Sequence, residues 1–290
     1  MYVARAGLFL FRKGSQPIRL DMDMLRIFEN PELDSEIEKK TGLYPSTPFV
    51  MEIEYESTRE DRGRIAVDMC EKAVTILRLF KEGHVFSSVL DVVWDKNSSP
   101  ENGVFGRRIY EGLEGLGDNY LFGGVAAAGA LATRHSQYSI SEQEISSLEH
   151  HLRELMPLDM GFCNIAVRRF NSSYQRMNHA DRLLDLLIAF EALLSDDPQA
   201  IGYKIALRCA MLLSGSLPQM EDDFHFLKRI YDTRSKIVHG ILRDAIEKDC
   251  DRVESLLRRT ILRLLHLWKD GKKVKSTNID TFLFFSSRPT

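Results

Sequence analysis

Arg234 and His239 stand five residues apart in the run Tyr231-Asp-Thr-Arg234-Ser-Lys-Ile-Val-His239-Gly240. Histidine is the side chain whose ordinary pKa lies nearest neutral pH, so it can take up and release protons there. Arginine keeps its charge and offers a planar donor fork that matches phosphate oxygens. The pair therefore suits proton transfer beside a phosphate. Gly240 fits a helix C-cap, which would set His239 at the negative end of a helix dipole. Five residues of ideal helix give about 7.5 Å of rise and roughly 140° of rotation, so the two groups do not share a face. Either the helix distorts near Ser235 or a second subunit completes the site. The plainer alternative is that Arg234 pairs with a carboxylate such as Glu191 or Asp232 and His239 is a satisfied cap.

The elements that must position this pair are helices. From Asn164 onward the apolar residues recur at helical spacing. A first long segment runs to Leu194, with a bend near Asn178, and is stopped by Asp196-Asp-Pro198. A second runs from Ile201 to Leu213, a third from about Glu221 to His239, and a fourth from Arg243 to Asp270. Short connections between four helices predict an antiparallel bundle. Glu191 lies in an otherwise apolar helix, where an unpaired carboxylate would be costly, and Arg208 is its expected partner. Arg252, Arg259 and Arg263 fall within about 40° of one another on the last helix, a stripe able to follow an RNA backbone or simply to face water.

The Arg-x4-His-Gly pattern is joined in order by DRLLDLLIAFEALL from Asp181, YKIALRCAMLL from Tyr203 and a closing helix from Ala245 to Asp270. Together these pieces, spanning Asn164 to Lys272, resemble the HEPN superfamily, and within it the Apea-like branch. The resemblance implies a metal-independent endoribonuclease that needs no cofactor. In such an enzyme the ribose 2′-hydroxyl attacks the adjacent phosphorus and leaves a 2′,3′-cyclic phosphate and a 5′-hydroxyl. On that logic His239 is the acid/base and Arg234 the phosphate clamp, with Tyr231, Asp232, Ser235, Lys236 and Glu191 in support. The family also implies a homodimer through the C-terminal bundle, in which two Arg/His motifs share one cleft with RNA as the partner. It points to bacterial defence, abortive infection or stress. Two features depart from the family: Ser235 follows the arginine where active nucleases often carry Asn, Asp or His, and Gly240-Ile241 stands where partner-silenced toxins carry a Tyr. A non-catalytic module that binds nucleotide or RNA, or only dimerises, is the alternative.

The first half reads differently. Tyr2 to Phe11 is β-like, and Phe49 to Tyr55 alternates apolar and acidic side chains as a half-buried strand does. Asp34 to Lys40 suggests a short helix, and Asp61 to Lys81 a longer one stopped near Gly83. Val85 to Val93 reads as a strand, followed by a loop from Lys96 to Gly106. Gly123 to Gly129 lacks both phosphate-loop spacings and reads as close backbone packing. On the helix Ser141 to Met156, of Glu149, His150, His151 and Glu154 only His151 and Glu154 are expected to share a face, too few for a zinc site. The Phe-rich tail, with Phe282, Phe284 and Phe285, would return to the N-terminal sheet.

Over 290 residues, 44% apolar and 28% charged, the composition excludes disordered and fibrous classes. No apolar run reaches the ~18 residues of a membrane span, and the N-terminus, with Arg5 inside it, reads as a strand and not a signal peptide. Cys70, Cys163, Cys209 and Cys250 lie far apart with no Cys-x-x-Cys spacing, as expected for buried, reduced thiols in a cytoplasm. Residues 1–145 hold 17 Lys and Arg against 23 Asp and Glu, and residues 146–290 hold 22 against 19. The mildly basic second half permits a nucleic-acid partner without demanding one. The expected fold is α+β: a mixed α/β sensing or regulatory domain over 1–145 that binds a trigger, a four-helix HEPN bundle over 146–272, and a tail over 273–290.

Overall fold

The computed structural model describes residues 1–9, 11–13, 19–22, 24–29, 49–87, 92–97, 104–105, 138–213, 215–241 and 247–286. The chain is α+β and divides into two compact units, Met1–Pro157 and Leu158–Thr290.

In the first unit the central strand is β1 (Tyr2–Phe9), which pairs antiparallel with β5 (Phe49–Tyr55) on one side and with β6 (Phe86–Ser87) and β7 (Val92–Asp95) on the other. With β3 (Arg19–Asp21), β4 (Leu25–Glu29) and β8 (Val104–Phe105) the sheet has the order β3-β4-β5-β1-β7-β8. A register of Ala4 against Ile53 and Ala6 against Met51 sends these small and apolar side chains to one buried face. The intervening Arg5 and Glu52 meet on the other, with Arg5 Nε donating to Glu52 Oε1 at 2.7 Å. Helix α1 (Arg62–Phe80) packs on the sheet. Its buried Arg78 donates twice to the Val85 carbonyl, at 3.0 and 2.8 Å.

A separate parallel pair, β2 (Phe11–Lys13) with β9 (Tyr138–Ile140), leads into α2 (Glu142–Leu155). Ser141 and Glu144 close its first turn as a capping box. Leu148, Leu152 and Leu155 are buried, α2 packs on α1, and Lys81 bridges to Glu144 at 2.7 Å. These contacts tie α2 to the first unit. The division expected after residue 145 falls inside this helix, whereas the observed division follows Pro157. The helix expected at 34–40, the glycine run 123–129 and most of the loop 96–106 lie outside the described residues.

The second unit is helical: a 3-10 turn (Gly161–Cys163), then α3 (Asn164–Ser173), α4 (His179–Leu194), α5 (Ile201–Leu213), α6 (Leu217–Val238), α7 (Glu247–Lys269) and α8 (Ile279–Ser286). Three features differ from expectation. The segment 164–194 is two helices, because Asn178 is extended and its side chain accepts from the N–H groups of Ala180 and Asp181 at 2.7 and 3.2 Å. That cap starts a new helix rather than bending an old one. Helix α6 begins at Leu217, not Glu221, since Pro218 in the first turn forfeits an N–H that has no helical partner anyway. The Phe-rich tail forms no strand: it is helix α8, which buries Ile279 and Leu283 and is held to α5 by a two-pronged Arg208–Asp280 pair at 2.7 and 2.5 Å.

Helices α4 and α7 pack with their N-terminal turns side by side. The Cys250 thiol donates to the His179 carbonyl at 3.4 Å, and Arg182 reaches Asp251 at 2.9 Å and Glu254 at 2.6 Å. Strictly antiparallel neighbours would instead oppose N- to C-terminal ends; α6 also reaches the N-terminal turns of α7, through Asp222–Arg252 and Arg229–Asp249. Glu254 is buried among Arg182, Arg258 and the Tyr174 hydroxyl, which donates to it at 2.8 Å. All four cysteines are buried and outside any disulfide. Burial pushes the Cys163 and Cys209 thiols up to about 12, far from thiolate chemistry near neutral pH.

Candidate active site

Helix α6 buries Phe226, Leu227, Ile230 and Tyr231, a 3–4 repeat that carries Arg234 to the edge of the same face. Arg234 is half-buried there, its Nη2 3.2 Å from Oε1 of Glu191 on α4. The distance is that of an ion pair, but the atoms are not aligned as a hydrogen bond: Glu191 Oε1, Arg234 Nε and the Tyr231 hydroxyl are all sealed from solvent and without a hydrogen-bond partner among the described residues. Burial pushes the Glu191 carboxyl above its ordinary value, and the Arg234 charge opposes that rise. The Tyr231 phenol is pushed well above its ordinary value by burial, then by the Glu191 charge. Tyr231 is thus a wall of the site, not a proton donor near neutral pH.

The wall is held from behind. A Cβ added to Gly202 of α5 would lie 2.8 Å from Tyr231 Cβ and 2.9 Å from its Cγ, so α5 and α6 touch at van der Waals limit only because position 202 has no side chain. Sequence reasoning did not single out Gly202. Its signal was a glycine inside an otherwise apolar helix, which marks close packing.

His239 is the C-cap of α6, with φ −85° and ψ 6°, and its N–H still reaches the Ser235 carbonyl at 3.1 Å. Gly240, at φ +71°, donates to Ile237 O at 2.9 Å, and Ile241 donates to Lys236 O at 2.8 Å. These two bonds form a Schellman closure, which needs the left-handed residue that glycine supplies without strain. The expected glycine cap is therefore present. The helix is unbroken through Ser235, which removes local distortion as a way of bringing Arg234 and His239 to one face.

His239 is exposed, as are Asp232, Ser235 and Lys236. Val238 and Ile241, on either side of the cap, are 57% and 75% exposed, an apolar surface beside the imidazole. The structure thus brings Glu191, Tyr231 and Arg234 together and leaves His239, Ser235, Lys236 and Asp232 on the solvent side of the same helix end.

Arg208 is not the partner of Glu191. It lies level with the end of α4, where it donates to the Leu194 carbonyl at 2.5 Å and to Asp196 at 2.9 Å, besides Asp280. Of the arginine stripe on α7, Arg252 is engaged inside the unit by Asp222 at 2.5 Å, Asp223 at 3.0 Å and the Phe226 ring at 4.0 Å. Arg259 is partly exposed and Arg263 exposed, and neither has an ion pair among the described residues.

On α2 the contact to Glu154 comes from His150, at 3.5 Å, while His151 sits edge-on to Phe80. Among the described residues no group of three or more His, Cys, Asp and Glu could hold a metal, and no helix is long and apolar enough to cross a membrane.

The chain matches no family model, no curated protein and no solved structure.

In the first unit a cavity of about 250 Å³ opens on the charged face of the sheet, lined by Val3, Met22, Met24, Arg26, Glu52, Glu54 and Lys96. Its carboxylates are engaged, Glu52 by Arg5 and Glu54 by Lys96 at 2.5 Å.

Proposed function

We propose that the chain is a cytoplasmic, metal-independent endoribonuclease of the HEPN type, used in bacterial defence, abortive infection or stress, with an N-terminal region that senses a trigger. The observation that carries this reading is the closure of α6: it fixes the backbone of His239 in solvent just beyond an arginine held by Glu191. In the proposed reaction the imidazole of His239 takes the proton of a ribose 2′-hydroxyl as the 2′-oxygen bonds to phosphorus. The bond from phosphorus to the 5′-oxygen breaks, and a second protonated imidazole gives that oxygen its proton. Arg234 donates to the non-bridging oxygens as charge builds on them.

Because the helix is unbroken and its rotation separates the two groups by roughly 140°, both imidazoles and the clamp are completed by a second copy. The exposed Val238 and Ile241 give that copy an apolar surface beside His239.

The test is purified full-length protein on total RNA in EDTA. Cleavage should continue and leave 2′,3′-cyclic phosphate ends, and His239→Ala should lower it by about 10²–10⁴-fold. A strand with deoxyribose at the cut site should resist, since the nucleophile is missing. Full activity in His239→Ala, or cutting of the deoxy strand at the same position, would refute the mechanism.

One observation favours a second reading, a non-catalytic module that binds RNA or nucleotide or dimerises: Arg234 already has a carboxylate partner and a sealed Nε. On that reading Arg234→Ala lowers stability and His239→Ala changes nothing.

A further inference from the structure

The chain leaves α7 through Trp268-Lys269-Asp270-Gly271-Lys272-Lys273-Val274-Lys275. Gly271, at φ +77°, closes the helix by donating to Trp268 O at 3.1 Å, with Lys272 donating to Leu267 O at 2.8 Å. The next residues are pinned: Val274 is buried, Lys275 N–H donates to Asn278 Oδ1 at 2.7 Å, and Asn278 Nδ2 donates back to Lys273 O at 3.1 Å. Lys273 and Lys275, alternate residues about the buried Val274, place their ammonium groups 5.8 and 5.7 Å from the centre of the Trp268 ring. Phe162 stacks on that ring at 4.0 Å and 6°. A ring stacked so closely fills one indole face, which leaves the lysines to the other.

This cluster differs from the arginines that brace the helices of the unit. Arg208, Arg229 and Arg252 are each engaged by carboxylates, whereas Lys272, Lys273 and Lys275 have none among the described residues and are exposed. Two ammonium groups drawn to one indole repel each other, and an anion between them relieves the repulsion. The second indole face is screened only by these two exposed lysine chains, which can turn aside to phosphates and open the ring to a base, the combination of stacking and charge neutralisation that binds single-stranded nucleic acid.

We infer that Trp268, Lys273 and Lys275, flanked by Lys272, form an exosite for single-stranded RNA. It lies roughly 30 Å along α7 from Glu247, with Arg259 and Arg263 on the helix between. The inference rests on the RNA reading of the α6 site but concerns a different surface, and binding can be measured without cleavage.

The experiment uses full-length His239→Ala protein, which holds RNA uncut, and a fluorescein-labelled single-stranded RNA followed by anisotropy over a range of salt. Lys273→Gln with Lys275→Gln should reduce the slope of log affinity against log salt by about 1.4, at about 0.7 per phosphate contact on a single strand. Trp268→Ala should weaken binding roughly 5- to 150-fold, and Trp268→Phe should recover most of that loss. The lysine pair is exposed, so its result stands even where Trp268→Ala disturbs folding.

An unchanged slope and affinity in the lysine variant overturns the exosite. So does a variant that loses sedimentation with phosphatidylserine vesicles while keeping RNA affinity. If RNA binds as described but wild-type protein cuts none, the exosite stands and the nuclease reading falls. If wild-type protein cuts RNA with the salt slope unmoved, the reverse holds.

Discussion

Glu191 of α4 and Arg234 of α6 meet at 3.2 Å across the packed faces of their helices, each partly withdrawn from water. The position of α4 therefore sets where the guanidinium of α6 points. Glu191→Gln keeps the shape but removes the charge that holds Arg234, and a misplaced clamp costs up to about 10²-fold in cleavage. RNA cleavage at saturating substrate checks this, beside urea denaturation. Unchanged cleavage with lowered stability would show that the ion pair only braces the helices.

Two carboxylates should give opposite pH slopes. Burial raises the Glu191 carboxyl, so the folded state binds that proton more tightly than the unfolded chain. Its contribution to stability falls as pH rises from the ordinary value of 4.5 through the raised one. Glu144 is the converse. Its bond to Lys81, then that from the Ser141 N–H, hold it down to about 2, so its stabilisation is complete above 4.5 and is lost as pH falls through about 2. Denaturation series from acid to neutral pH on Glu191→Gln and Glu144→Gln check the signs: relative to wild type, Glu191→Gln should gain stability as pH rises above 4.5, whereas Glu144→Gln should lose stability between about pH 2 and 4.5 and then level off.

A shared site has a signature that a single-copy site lacks. Each mixed dimer of wild-type and His239→Ala chains lacks one of the two imidazoles, so adding the variant should lower RNA cleavage more steeply than the wild-type fraction falls. Refolding the two chains together over a range of ratios and assaying cleavage is the measurement. A fall in simple proportion to the wild-type fraction, with mixed dimers shown to form, places the whole site in one chain.

Gly202→Ala should force α5 and α6 apart, since its Cβ would lie 2.8 Å from the Tyr231 Cβ and cannot be relieved by turning a flexible tip. Overpacking of this kind costs about 1–3 kcal/mol. Chemical denaturation reads the loss. A change below about 0.5 kcal/mol, the range of ordinary surface substitutions, would mean that the two helices are not pressed together there.

Much of the secondary structure was legible because it rests on local rules. Phe49–Tyr55 was read from its period-2 alternation, Ile201–Leu213 from its apolar content and flanking breakers, and Gly240 from the cap it serves. The misreadings came where a local signal had two meanings. Asn178 was read as a bend but caps a new helix, because its side chain meets the N–H groups of the next turn. Phe282, Phe284 and Phe285 were expected to return to the N-terminal sheet, yet they lie in a helix that Asp280 holds to α5 through Arg208.

The sequence alone determined that Arg234 and His239 are five residues apart, that a glycine follows, and that a regular helix keeps them off one face. Tertiary structure decided what each meets. An ion-pair partner depends on distances between helices that are far apart in the chain, which no residue's type encodes. So Glu191 met Arg234 and not Arg208, Gly202 came against Tyr231 from the neighbouring helix, and Arg252 turned inward to Asp222 and Asp223 instead of outward.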